Sequence, residues 1–474
     1  MRVIIPFSFI FFCLSSCANM GQKQVSVKPV KSVDINSVRS GEVGDRSLFV
    51  CGDWPEKNWW DDFQDPDLSK AIEQGIRESP SIQSVEARVL AAKAQSDIVK
   101  SKLFPQIDAL FNLIWVYLSK DIHKKFPSVD QNFHFYTAGF DFTYEFDFWG
   151  KNKKLFLASL GDVKTEEALY QQAKIALSTS IAMKYYDLQS TAVKIRIVSA
   201  ILENRAKMLS MSNLLDEHQI GNGIDVNQRA RDVLILQESL AALKEELDLH
   251  KSSFKTLLGQ NPSGDLEFGF AWNVQFAPFE LPPEIGLNLL ARRADLAAQM
   301  ARVKKSADLV GVAVSQFFPS VNLAGLIGFQ DLDFSKLCSS QSFMPSLIPL
   351  IQLPIFHGGK LRANLREKIA VHESIVFEYN ELILKAANEV VKGISRLKSV
   401  NERLGYQINK VAAVKIISDL TEIKFRQGID SLYRSLQSQE EFLWAELHQV
   451  ELQRLKYDAI IRLIKALGGG YGNE

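Results

Sequence analysis

The sequence predicts a mainly α-helical protein with a membrane β-barrel portion, built from two internal repeats that each supply a β-hairpin and long coiled-coil helices. Three observations carry this reading. The two halves of the 474-residue chain repeat short words in the same order, the proline-free stretches hold sustained heptads, and the segments between them alternate apolar and polar residues.

Composition bounds the alternatives. Lys+Arg and Asp+Glu both number 55, so the formal net charge is zero. Nucleic acid is thereby disfavoured as the main partner, because phosphate binding needs a basic excess. With 46% apolar and 23% charged residues the chain can bury a core and is not largely disordered. Its four cysteines, at 13, 17, 51 and 338, are too few and too scattered for a disulfide framework or a zinc site.

The first element is a targeting segment, residues 1–16. Met1-Arg2 is followed by the apolar run Val3 to Leu14 and then Ser15-Ser16-Cys17. A basic start, a short apolar core and small residues at the end read as a secretory signal, too short to span a bilayer. The ending resembles a bacterial lipobox, which makes Cys17 the lipid-bearing first residue of the mature chain; plain secretion is the other reading. Ala18 rather than Asp follows the cysteine, which favours the outer membrane. No cofactor is expected beyond the covalent lipid. No later segment holds 18 consecutive apolar residues, so any crossing of a membrane requires a closed barrel.

The repeat comes next. Ala87-Arg88-Val89 recurs as Ala301-Arg302-Val303, and Ser101-Lys102-Leu103-Phe104-Pro105 as Ser315-Gln316-Phe317-Phe318-Pro319. Phe148-Trp149-Gly150-Lys151 corresponds, with a slip, to Phe356-His357-Gly358-Gly359-Lys360. Gly223-Ile224-Asp225 matches Gly428-Ile429-Asp430, and Leu258-Gly259 matches Leu467-Gly468. The predicted organisation is a lipid-anchored segment 17–67, a first repeat 68–262, a linker 263–286 and a second repeat 287–474. Hairpins are expected at about 105–148 and 319–355, long helices at 151–220 and 359–426, and return helices at 225–258 and 430–467.

Prolines are confined to positions up to Pro127 and between Pro262 and Pro354, leaving two stretches where long helices can form. Ile181, Leu188, Ile195, Leu202 and Leu209 are spaced by seven, as are Ile369, Val376, Ile383, Val390, Leu397, Leu404 and Val411. Such columns imply helices that supercoil about neighbours. At 1.5 Å per residue each would run roughly 100 Å. Each turns at a glycine-bearing tip, Gly221-Asn222-Gly223 or Gln427-Gly428, where a left-handed residue is expected.

The strands alternate. From Tyr136 to Phe148 the even positions are aromatic or Ala138, while the odd positions include Thr137, Asp141, Thr143, Glu145 and Asp147. Ile107, Ala109, Phe111, Leu113, Trp115 and Tyr117 form the matching apolar face of the preceding strand. The second hairpin repeats this over Val321 to Phe329 and Leu347 to Ile355. One face suits lipid and the other a water-filled lumen carrying Asp141, Glu145 and Asp147. A soluble sandwich with one buried face shares the alternation. Four strands cannot close a membrane barrel, since the smallest common ones need eight. Three copies would make a twelve-stranded barrel.

Together these residues resemble the TolC-type outer membrane factors, in particular the lipoprotein (NodT-like) branch of tripartite efflux pumps. The words that carry the likeness are Trp59-Trp60-Asp61-Asp62-Phe63, Tyr144-Glu145-Phe146-Asp147-Phe148-Trp149-Gly150, Leu257-Leu258-Gly259-Gln260-Asn261-Pro262, Gln352-Leu353-Pro354-Ile355-Phe356-His357-Gly358-Gly359 and Lys465-Ala466-Leu467-Gly468-Gly469-Gly470. The resemblance implies a homotrimer whose β-barrel in the outer membrane is joined to a twelve-helix periplasmic α-barrel. It also implies a membrane fusion (adaptor) protein and an RND-type inner-membrane pump as partners. The tips, with Gly221, Gly223, Asp225, Arg426, Gly428 and Asp430, are the expected adaptor-docking sites; Lys424 and Arg426 equally suit a plain solvated helix end. The branch often carries a Leu-Asp-Ala-Gln-Arg stretch at its periplasmic gate. Here the stretch reads Leu436-Gln437-Ser438-Gln439-Glu440, so Gln437 and Glu440 are departures, and Tyr433 is a candidate constriction. His357 and Ala294 also depart from the pattern.

Other chemistry is thin. His123 and His134 flank an expected outer loop, Ser119 to Gln131, and fit a metal or plain solvation. Gly468-Gly469-Gly470 lacks the Lys-Ser/Thr of a phosphate loop. Cys51 and Cys338 are expected to stay unpaired. No nucleophile or acid–base constellation supports an enzyme. The leading function is a passive efflux conduit for drugs or cations; a secretion conduit and a non-conducting lipid-anchored scaffold are the alternatives.

Overall fold

The computed structural model describes residues 54–128, 130–264 and 291–472, with the backbone of Val50–Cys51 and Glu280–Leu281. The signal segment 1–16, Cys17, and much of 17–67 and 263–286 lie outside the described residues. The chain divides into two compact units. Among the described residues, the first contains Pro105–Lys154 and Ser306–Asn380; the second takes the described parts of Lys31–Phe104, Leu155–Lys305 and Glu381–Glu474.

The longer helices among the described residues are α1 Pro66–Glu78, α2 Pro80–Ser101, α3 Lys151–Glu217, α4 Gly223–Leu257, α5 Ala294–Ser315, α6 Lys360–Arg426 and α7 Leu432–Ala466. None of the described helices is long and apolar enough to cross a membrane. The strands are β1 Gln106–Tyr117, β2 Asn132–Phe146, β3 Ser320–Asp331 and β4 Phe343–Gln352. The internal repeat is exact in spacing. β1 and β3 begin 214 residues apart (106 to 320), as do α2 and α5 (80 to 294). After the hairpins the spacing is 209, for α3 and α6 (151 to 360) and for α4 and α7 (223 to 432). The second hairpin is therefore the shorter. One sequence match is corrected by this: Gly223-Ile224-Asp225 correspond to Leu432-Tyr433-Arg434, four residues beyond Gly428-Ile429-Asp430.

The first unit holds a four-stranded antiparallel sheet in the order β1-β2-β3-β4, with β1 and β4 as its edges. Register sorts its two faces. Ile107, Phe111, Leu113 and Trp115 lie beside Phe142, Ala138, Tyr136 and His134. Phe140 and Tyr144 lie beside Ile327 and Leu323, which face Pro345 and Pro349. That face is almost wholly apolar. The opposite face carries Gln106, Asp108, Asn112, Thr137, Asp141, Thr143, Asn322 and Gln330, interspersed with Leu110, Ile114 and Leu326. Two sequence expectations are adjusted here. The last strand is Phe343–Gln352 rather than Leu347 to Ile355, because Pro345 and Pro349 are tolerated on an edge strand, where a missing N–H breaks no ladder within the sheet. The expected loop Ser119 to Gln131 contains a short helix, Lys120–Lys125.

The second unit is held by an aromatic core around the middle of α3. Trp59, Trp60 and Phe63, on a 3₁₀ turn, are buried beneath it. Phe63 lies 5.8 Å from Tyr186, whose ring stacks on Tyr457 of α7 at 4.0 Å between centroids and 4° between planes. Such ring pairs contribute about 0.5–1.5 kcal/mol each beyond their buried area. Asp65 links two elements: one carboxylate oxygen accepts the N–H groups of Asp67 and Leu68, capping α1, and the group also accepts the Tyr185 hydroxyl at 3.0 Å. Burial, followed by the charge of Asp65, pushes the Tyr457 hydroxyl up to about 12 and raises that of Tyr185, and burial followed by the neighbouring Tyr457 raises that of Tyr186. Arg293 is buried and donates to Asp295, Glu389 and the Ala466 carbonyl, tying α5 to α6 and α7. A two-residue parallel bridge joins Val50–Cys51 to Glu280–Leu281.

The two heptad columns fare differently. In α6, Val376, Ile383, Val390, Leu397 and Leu404 are all buried. In α3, Ile181 and Leu188 are buried, but Ile195, Leu202 and Leu209 are half-exposed and Ile197, Val198, Ile201 and Met208 take the buried line. A straight helix drifts against a seven-residue repeat. Beyond Leu188 the packed face of α3 has rotated to meet Leu236 of α4 and Val450 of α7.

Candidate functional site: polar sheet face and helix tips

Three carboxylates were expected on the polar sheet face, and the structure separates them. Asp141 lies mid-strand opposite Asp108 and has no partner among the described residues. Directly opposed residues have Cβ atoms about 5 Å apart, so two like charges are held together, which is unfavourable for folding alone. Glu145 is neutralised: Lys151 Nζ donates to it at 2.5 and 2.8 Å, and Asn152 Nδ2 at 3.3 Å. Asp147 lies beyond the end of β2. Its oxygens accept the backbone N–H groups of Asn152 and Lys153 at 3.0 and 2.7 Å. Asp147, expected on the lumen side, thereby serves the start of α3, because an acidic residue just before a helix satisfies that helix's free N–H groups.

The tips are built by matched caps. Asn222 accepts the N–H of Asp225 at 2.9 Å to start α4, and Ser431 accepts that of Arg434 at 3.3 Å to start α7. The preceding helices end alike, with the N–H of Ile220 on the Leu215 carbonyl and that of Ile429 on the Lys424 carbonyl, both at 2.9 Å. Gly428 supplies the left-handed residue of the second tip, at φ 71°. At the first tip that conformation falls to Gln219, φ 61°, and not to Gly221 or Gly223. Gly221 is needed for space: a Cβ there would sit 3.0 Å from the Asp216 nitrogen. Ile220, Ile224 and Ile429 are exposed at 77%, 69% and 69%. Arg426 pairs with Glu422, and Asp430 accepts the Ser431 N–H at 2.8 Å with Arg434 3.6 Å away.

Just beyond the second tip, Tyr433 lies under the Arg229 guanidinium at 4.7 Å, and Gln437 is exposed. Glu440 is only 5% exposed. It accepts Arg205 at 2.7 Å and the Trp444 indole N–H at 3.1 Å, while Arg205 also reaches Asp232 at 3.2 Å. Glu440, expected at the periplasmic gate, is the buried acceptor of a clasp between α3, α4 and α7. Nothing in the sequence pattern points to Arg205, Asp232 or Arg229, because their partners lie far away in the chain. A neighbouring contact joins the Thr421 and Ser438 hydroxyls.

Cys338 is a free, exposed thiol, and the side chain of Cys51 lies outside the described residues. His134 stacks on Tyr136, and among the described residues no group of three or more His, Cys, Asp or Glu could hold a metal ion.

The sequence profile described as outer membrane efflux protein matches residues 71–260 and 287–469, one block for each repeat. The chain belongs to the outer membrane efflux protein family. Among curated members of this family it is 24% identical over 471 residues to the multidrug resistance outer membrane protein MdtP of Escherichia coli K12, covering 97% of this chain and 94% of that protein. It is 26% identical over 427 residues to the putative multidrug resistance outer membrane protein MdtQ of Shigella flexneri, covering 88% and 89%. Among solved structures, the outer-membrane channel OprN superposes with a TM-score of 0.80 at 26% identity, covering 94% of this chain and 98% of that one. The outer membrane protein VceC of Vibrio cholerae gives 0.76 at 26% identity, over 88% and 100%. The outer membrane channel CmeC of Campylobacter jejuni shares the fold at 0.81 and 21% identity, over 94% of both chains.

Proposed function

We propose that this chain is the outer membrane channel of a tripartite efflux system, conducting small molecules passively outward from a periplasmic adaptor and an inner-membrane pump. The observation that carries the reading is the open sheet. It has one apolar face, one polar face and two unpaired edges, β1 and β4. An open edge in lipid leaves backbone groups without partners at several kcal/mol each, so the sheet must close. β4 runs antiparallel to β1, so an edge of one copy continues the alternation of the next. Three copies give twelve strands, with the polar faces turned inward around a water path. The long helices α3 and α6 would extend that path, and the hairpin loops at the far ends of the strands would lie outside the cell.

The tips present the same capped turn twice per chain, which suits an adaptor that meets matched sites around a ring. Exposed Ile220, Ile224 and Ile429, bordered by Asp225, Arg426 and Asp430, form the surface offered. The clasp at Arg205 holds the helices together near the entrance and is the element an opening movement would break. The named relatives act in multidrug resistance, which favours amphiphilic drugs as cargo. A lipid on Cys17 would tether the mature chain to the outer membrane. Deletion of the gene with re-expression from a plasmid tests the assignment: a fourfold or greater rise in susceptibility to several unrelated drugs, reversed by the wild-type chain, is expected. Unaltered susceptibility to every drug and dye, with the channel present in the outer membrane, would refute it.

A further inference from the structure

The short helix Lys120–Lys125 at the β1–β2 turn is not used by the conduit. At 100° per residue Ile122 and Phe126 share one side and Lys120 and Lys124 the other, with Lys125 between them. Ile122 and Phe126 are 47% and 59% exposed, although nothing about a solvated loop requires two large apolar side chains there. Lys120, Lys124 and Lys125 are exposed and form no ion pair among the described residues. The patch continues the apolar sheet face, whose last side chains before it are Trp115 and Tyr117, 65% and 63% exposed. The Trp115 indole N–H is held by Asn132 across the hairpin.

Resting on the outward placement of the hairpins proposed above, we propose that this turn is an anchoring site for a phosphate-bearing glycolipid of the outer leaflet. Aromatic side chains suit the level of a membrane interface, and the apolar pair enters the acyl region beside them. The three ammonium groups then face the anionic headgroup layer, where each cation adds about a few-fold to affinity at moderate salt. Charge selects this occupant over a neutral headgroup. The turn between β3 and β4 lacks the pattern: it carries Asp331 and Asp333 against Lys336, and both acids are engaged in capping their own turn.

The test uses the full-length channel in nanodiscs containing either bis-phosphorylated lipid A or its dephosphorylated form, with co-purifying glycolipid counted by mass spectrometry. The wild-type chain is expected to retain the phosphorylated lipid about tenfold better, and K120Q/K124Q/K125Q to lose that preference. A second variant, Ile122→Ser with Phe126→Ser, is expected to lower retention of both lipids. Equal retention of the two lipids by the wild type, or an undiminished preference in the triple variant, overturns the proposal and leaves the apolar pair to a neighbouring copy. Orientation is checked separately with a membrane-impermeant maleimide on intact cells. Labelling of Cys338 upholds the outward hairpins whatever the lipid result, and its protection while periplasmic cysteines also stay unlabelled would remove the premise itself.

Discussion

Asp141 and Glu440 show how far a residue's role depends on the partner it meets. Asp141 is expected in the barrel lumen and Glu440 at the periplasmic gate. Asp141 stays unpartnered opposite Asp108, and a ring of such pairs in the assembled barrel would draw cations inward. Asp108→Asn with Asp141→Asn is expected to lower the cation-to-anion permeability ratio severalfold, read from reversal potentials in planar bilayers; an unaltered ratio would move selectivity elsewhere. Glu440 instead meets Arg205. Arg205→Ala leaves a buried carboxylate without its cation, at a cost on the order of 1–3 kcal/mol. That variant is expected to raise open probability and the uptake of large antibiotics, and a channel as tight as wild type would show that the clasp does not hold the entrance. Sequence could find the acids but not Arg205, since the two lie on different repeats and no periodicity joins them.

Within single elements, the tips separate two uses of glycine. Gly428 carries a positive φ, whereas Gly221 makes room against α3 and Gln219 bears the left-handed turn. Gly428→Val therefore imposes strain of about 1–2 kcal/mol on one turn. Faster cleavage at that tip by a low dose of protease, with weakened adaptor cross-linking, is the expected outcome; Gln219→Gly is expected to protect the other tip. The aromatic core gives a pH dependence. An unfolded tyrosine titrates near about 10, while Tyr457 in the fold titrates at about 12. The fold holds that proton more tightly, so the stabilisation is intact below pH of about 10 and is lost as pH rises through about 12. Chemical denaturation at pH 8, 10 and 12 checks this, and Tyr457→Phe should flatten the fall. Element positions were legible because proline confines helices and strict alternation marks strands. The return strand was misplaced because Pro345 and Pro349 interrupt its pattern, and the heptad of α3 misled beyond Leu188 because its neighbours change along its length.

For the whole molecule, the repeat was readable as words in order, at the same offsets of 214 and 209 that the elements show, and only the tip word Gly223-Ile224-Asp225 was matched four residues out of register. Closure is the property on which the function depends, and a sequence can show only that four strands are too few. The most direct test records single channels of Asp141→Cys, in a Cys338→Ser background, while a cationic thiol reagent is added from the side opposite the tips. Three copies around one lumen place three equivalent thiols on the water path, so the conductance is expected to fall in three successive steps. A single step, or a current indifferent to the reagent, would contradict the closed barrel of three chains.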